Sequence, residues 1–176
     1  DVASETAARY WRIQQTTNQA NGSNTIISCS EIDWYETPGG AILNSGGTPI
    51  RSSALEPSFE ASFAYDNNNS TFWASGVEYG RAWLGYDFGS PVTVNEFLYR
   101  NRSGSAFGAE EAMTSGVVAS SDDGATWTDR WHLTSPGTWP SGGEIRTFTN
   151  PYLNITRMPV GGTGWTSVGT SNVDGA

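Results

Sequence analysis

Short apolar runs alternate with clusters of turn-forming residues along most of the chain, and no stretch keeps a helical period for long. That pattern constrains the fold more than any other feature, because it leaves short strands as the only regular elements. Residues 10–14, 26–35, 83–88, 92–100, 113–120, 127–133 and 144–149 read as strands. Asn21-Gly22, Pro38-Gly39-Gly40, Ser45-Gly46-Gly47, Gly89-Ser90-Pro91 and Asp122-Asp123-Gly124 supply turns, each by residues that accept unusual backbone angles. The first two strands read as an opening antiparallel pair, and one short helical turn is expected over 106–112. Eight Trp, seven Tyr and seven Phe favour strands further. The fold class is therefore all-β, an antiparallel β-sandwich over residues 1–150. After Asn150-Pro151 the pattern weakens, and 151–176 reads as a linker or extension.

Charge excludes some partners. The net charge is −9, all nine cations are Arg, and Lys is absent. A nucleic-acid surface needs a basic stripe, and an anionic membrane attracts basic clusters. Neither partner fits, and no membrane insertion is expected. Cys29 is the single cysteine, so an internal disulfide and a Cys-based zinc site are both excluded. Within its strand it reads as a buried thiol. His132 is the single histidine and sits in a strand, where it reads as a packed or edge residue rather than a catalytic base. Glu78, Glu110 and Glu111 have no spacing that requires glycoside hydrolysis. The chain reads as no enzyme.

One turn carries metal chemistry. Asp66-Asn67-Asn68-Asn69-Ser70-Thr71-Phe72-Trp73 gathers side-chain oxygens at Asp66, Asn68 and Thr71. Calcium takes about six to eight such oxygens, but an Asx-rich turn can equally cap its own backbone. Both readings stand on the residues alone.

The same run resembles the Asp-Gly-Asn-x-x-Thr-x-Trp signature of discoidin-like domains, which include the coagulation factor C-terminal domains and galactose-binding modules. Three further landmarks follow in that family's order. Trp83-Leu84-Gly85-Tyr86-Asp87-Phe88-Gly89 is similar to its Trp-Leu-x-Val-Asp-Leu-Gly strand, and Tyr99-Arg100-Asn101-Arg102 to its Tyr-x-Pro-Arg segment. Ser121-Asp122-Asp123-Gly124-Ala125-Thr126-Trp127 is similar to its Ser-x-Asp-Gly-x-x-Trp hairpin. Asn67 replaces the family's Gly, and Asn tolerates left-handed backbone. Asn101 replaces its Pro. Segments resembling the family's last two strands come first here, as Ala8-Arg9-Tyr10-Trp11-Arg12-Ile13 and Ser30-Glu31-Ile32-Asp33-Trp34-Tyr35.

The resemblance therefore implies a circularly permuted discoidin-like jelly roll, covering about 8–150, of the kind carried on bacteriophage tail and other virion proteins. Strand 10–14 would then pair with 144–149, the two flanking the permutation point. The resemblance also implies a structural Ca2+ held by Glu31, Asp66, Asn68 and Thr71, with Glu31 folding back beside Asp66. In galactose-binding relatives the Arg matching Arg102 contacts sugar. With Glu78, Tyr79 and an exposed Trp139 as stacking face, Arg102 forms the expected ligand site. Trp11, Trp34, Trp73, Trp83 and Trp127 are expected in the core. The expected function is a non-catalytic carbohydrate-binding surface module, extracellular or on a virion surface, for a neutral glycan. The alternative is a structural or decoration module that contacts other virion subunits and binds no sugar. An enzyme-associated targeting domain is a third reading.

Overall fold

The computed structural model describes residues 6–20, 26–78, 80–104, 107–133 and 137–153. The strands are β1 (Ala8–Asn18), β2 (Ser28–Tyr35), β3 (Thr48–Arg51), β4 (Trp73–Ala74), β5 (Trp83–Val92), β6 (Glu96–Asn101), β7 (Met113–Ser121), β8 (Thr128–Leu133) and β9 (Ile145–Thr149). A single helical turn, α1 (Phe107–Glu110), and two 3-10 turns, Pro57–Phe59 and Ala61–Ala64, lie between them. The strands form two antiparallel sheets, ordered β3-β5-β1-β7-β8 and β4-β2-β6-β9. This is the all-β sandwich that the alternating pattern predicts.

β1 shows how the pattern becomes a core. Trp11, Ile13 and Gln15 point inward and are buried, while Tyr10, Arg12 and Gln14 alternate outward and stay half-buried, as the two-residue strand period requires. From the opposite sheet Ile32, Trp34, Phe97 and Tyr99 close the core, with Leu84, Met113, Val118 and Trp131 on the β1 side. Cys29 is buried in β2, as expected, and burial pushes its thiol well up from its ordinary range.

Three expectations about connectivity are corrected. β1 and β2 are no hairpin; they lie in opposite sheets. The expected ladder between residues 10–14 and 144–149 does not form, since β1 pairs with β5 and β7 while β9 pairs with β6. The physical reason is common to both. The chain changes sheet at every connection between successive strands except β7 to β8, so neighbours in sequence face each other across the core instead of sharing hydrogen bonds. Finally, Gly89-Ser90-Pro91 does not end a strand. β5 continues to Val92, Gly89 adopts a positive φ of 74°, and its amide donates to Asp87 Oδ1 at 2.8 Å. The irregularity is absorbed where the β1–β5 register shifts between Ala8 and Tyr10.

Candidate functional site

The Asx-rich turn forms at one end of the sandwich between the second 3-10 turn and β4. Asp66 Oδ1 accepts the Asn68 amide at 2.8 Å, and Asn68 Oδ1 accepts the Ser70 amide at 3.1 Å. The Thr71 hydroxyl lies 2.7 Å from both Asp66 Oδ2 and the Asn68 carbonyl oxygen. Asn67 takes the left-handed conformation, φ 56°, that the family's Gly would take. These bonds are the self-capping that an Asx turn makes for itself.

Glu31 is not explained by self-capping. It sits on β2 just past a β-bulge between Cys29 and Glu31, and it is only 5% exposed. Among the described residues neither carboxylate oxygen makes a hydrogen bond of good geometry, and the Asn67 amide is the one backbone donor close enough to act on it. Burial pushes its pKa up to about 7, and the charges of Asp33 and Asp66 push in the same direction; the Asn67 amide and Arg100 act against them. Two unpartnered buried oxygens next to a second carboxylate fit a hard cation. Among the described residues no group of three or more His, Cys, Asp or Glu side chains converges. Any cation here would draw on Glu31 and Asp66 for charge and on amide, hydroxyl and carbonyl oxygens for the rest.

The three described residues of the expected ligand site, Glu78, Arg102 and Trp139, are not brought together. Trp139 is the clearest correction: it is 1% exposed, not a surface stacking residue. Its Nε1 donates to the Met113 carbonyl at 2.8 Å, its ring meets Tyr99 at 5.7 Å, and the Arg146 guanidinium covers it at 4.0 Å. Pro140 is exposed, but the indole before it turns inward and plugs the core between the sheets. Arg102 is tied into structure. Its Nη1 donates to Glu111 Oε2 at 3.2 Å, and its guanidinium lies 4.0 Å from the Phe72 ring centroid. The side chains of Arg102 and Glu111 are 22% and 6% exposed, and Ser28 Oγ also donates to Glu111, at 2.6 Å. Glu78 is half-buried and accepts from the Ser52 hydroxyl. Tyr79 lies outside the described residues. Among the described residues no hydrogen bond, ion pair or ring contact joins Glu78, Arg102 and Trp139.

Two tryptophans expected in the core are instead half-buried. Trp83 and Trp127 stand on the outer face of the five-stranded sheet, ring centroids 5.9 Å apart and tilted by 44°. The Arg12 guanidinium lies 4.2 Å from the Trp127 ring and 5.2 Å from the Trp83 ring. Strand parity is a signal for Trp83: with Leu84 inward on β5, Trp83 must face out. His132 is exposed on the edge strand β8, where it lines a groove of about 430 Å³ with Leu133, Arg146, Phe148 and Pro151. Among the described residues no Ser–His–Asp contact is present.

Face-to-face antiparallel sheets, crossed repeatedly by the chain and closed by an Asx-rich loop, define a jelly-roll-type β-sandwich domain. The family model described as F5/8 type C domain matches residues 49–154, and the chain belongs to this discoidin-like family. F5/8 type C domains are often carbohydrate- or ligand-binding modules and are typically non-catalytic. No curated protein and no solved structure matches the chain significantly. β1 and β2 precede the matched residues, yet β1 is the central strand of one sheet and β2 an inner strand of the other.

Proposed function

We propose that the chain is a non-catalytic, calcium-stabilised attachment module for neutral glycans, displayed outside the cell or on a virion. The observation that carries the calcium part is Glu31, buried with two unpartnered oxygens beside the Asp66 turn. Calcium held there by Glu31, Asp66, Asn68, Thr71 and nearby carbonyls would supply positive charge to a site that otherwise concentrates negative charge. Bound only to the folded state, it stabilises that state by mass action. Family membership supports a carbohydrate or other ligand, and the acidic, Lys-free composition favours a neutral sugar over an anionic one. The circularly permuted order loses its expected ladder between 10–14 and 144–149, which lie in opposite sheets; what still speaks for it is that β1 and β2, which carry the segments resembling the family's end, fill inner positions ahead of the matched residues.

A second reading has its own observation. Arg102 is engaged by Glu111 and Trp139 is core, so the loop site expected for sugar has lost its clamp and its stacking face. That favours a structural role among virion subunits. A neutral-glycan array probed with and without a calcium chelator separates the two. Binding that depends on calcium supports the attachment reading. No binding to any neutral glycan in calcium leaves the structural reading.

A further inference from the structure

We infer that the outer face of the five-stranded sheet, at Trp83, Arg12 and Trp127, is a binding platform for a neutral oligosaccharide chain. This rests on the glycan reading above and moves its site from the Arg102 loops to a sheet face. Three features build the platform. Gln14 and Trp83 are register partners on β1 and β5, and Arg12 lies between Gly85 and Ala119 on the two flanking strands. Gly85 has no room for a Cβ, which would sit 2.8 Å from Arg12 Cβ and 2.3 Å from the Trp11 carbonyl oxygen. Gly85 therefore lets Arg12 lie tight against the β5 backbone, with the two indoles beside its guanidinium.

The second feature is preorganisation. The Trp83 amide donates to Ser52 Oγ at 3.0 Å, and the Trp83 carbonyl accepts the Ser52 amide at 3.0 Å. Trp127 follows a turn in which Asp123 Oδ1 accepts the amides of Ala125 and Thr126 at 2.8 and 2.7 Å. Both rings therefore leave rigid backbone, so little entropy is lost when a ligand settles on them. These two indoles stay half-buried on one outer sheet face, in contact with each other and with Arg12, while five other tryptophans of the described chain are buried.

The third feature selects the partner. Sugar rings present C–H faces to aromatic rings and hydroxyls to polar groups. Arg12 Nη2 donates to Gln14 Oε1 at 3.3 Å, and Asp129 acts on the Arg12 charge from β8. Arg12 supplies donors and Gln14 an acceptor, and Asp129 offsets the Arg12 charge. In a molecule of net charge −9, that balance suits a neutral, hydroxyl-rich chain and repels a polyanion. An open sheet face admits several sugar units in line, which fits an oligomer better than a single ring.

The test is calorimetric titration of the full chain, calcium held constant, with neutral hexasaccharides: β-1,4-glucan, α-1,4-glucan and β-1,4-galactan. We expect at least one to bind in the micromolar to millimolar range. Trp83→Ala and Trp127→Ala should each weaken it by about tenfold or more. Because either variant could unfold, wild-type protein is also oxidised with N-bromosuccinimide with and without saturating sugar. Bound oligosaccharide should protect Trp83 and Trp127, read by peptide mass spectrometry. Binding that leaves both rings unprotected, or that is lost in Arg102→Ala but kept in Trp127→Phe, overturns the platform and leaves the glycan reading standing at the loops. Absence of binding by all three oligosaccharides overturns the glycan reading and the platform with it.

Discussion

Burial raises the proton affinity of Glu31, and the nearby Asp66 carboxylate, with Asp33, raises it further, against the opposing pull of the Asn67 amide and Arg100. Folding therefore costs free energy whenever Glu31 must be ionised. The direction follows from linkage. The folded-state pKa, about 7, lies above the ordinary carboxylate value of 4.5, so the folded form binds the proton more tightly than the unfolded form does. Glu31 contributes most favourably below about pH 4.5, and that contribution is lost as pH rises through about 7.

In calcium-free buffer the melting temperature should accordingly fall between pH 5 and pH 8, by on the order of 5 °C. Millimolar calcium should remove most of that fall, because the cation favours the ionised carboxylate. Glu31→Gln should flatten the pH response without calcium and lose the calcium response as well. Differential scanning fluorimetry across pH, with chelator or calcium, reads all of this. A melt indifferent to calcium at pH 8 would sink the metal site.

Asn67 offers a local test of the same turn. At φ 56° it holds a conformation that costs a side chain with a branched Cβ about 1–2 kcal/mol. Asn67→Gly should be neutral or slightly stabilising, and Asn67→Val should destabilise by about that amount in urea unfolding. If Asn67→Val is as stable as wild type, the left-handed assignment fails.

How much could be read from residues alone follows one division. Strand positions were legible wherever apolar residues alternate, as in β1, β5, β7 and β8, because side-chain parity is local. Strand partners were not. Sheet membership depends on where the chain crosses the core, and nothing within residues 10–14 or 144–149 records that β1 and β9 sit in opposite sheets. The site shows the same split. Asp66, Asn68 and Thr71 were nameable because the turn motif is contiguous, and Glu31 only through the resemblance of residues 30–35 to the family's last strand. The fates of Trp139 and Trp127 were not, since Trp next to Pro looks like a surface loop and Trp in a motif looks like core; Trp83 was open to strand parity, which its motif position masked. Only the packing of Trp139 on Tyr99 and Met113, and of Arg12 between the other two indoles, reverses those assignments.

Trp139 gives a sharp contrast with a surface role. Trp139→Ala removes a fully buried indole and its hydrogen bond to the Met113 carbonyl. The expected loss is about 3–5 kcal/mol of unfolding free energy. Trp139→Phe keeps most of the volume and should cost less, chiefly the unpaired carbonyl. Chemical denaturation of both variants checks this. A loss below about 1 kcal/mol for Trp139→Ala would mean that the ring is not packed as described.

Arg102 and Glu111 decide whether the loop-end cation serves structure. Glu111 is buried and accepts from Ser28 Oγ and Arg102 Nη1 through one oxygen, Oε2. Removing Arg102 takes a charged donor away from a buried carboxylate, and also uncovers the Phe72 ring. Arg102→Ala should cost about 3 kcal/mol, more than a surface arginine would. Glu111→Gln should cost less, because a neutral amide no longer needs the guanidinium. The double variant should then recover part of the Arg102→Ala loss, giving a coupling energy of about 1–3 kcal/mol in a double-mutant cycle. Additive single effects, or an Arg102→Ala variant as stable as wild type, would show that the pair carries little, and would return Arg102 to the ligand surface as a free donor.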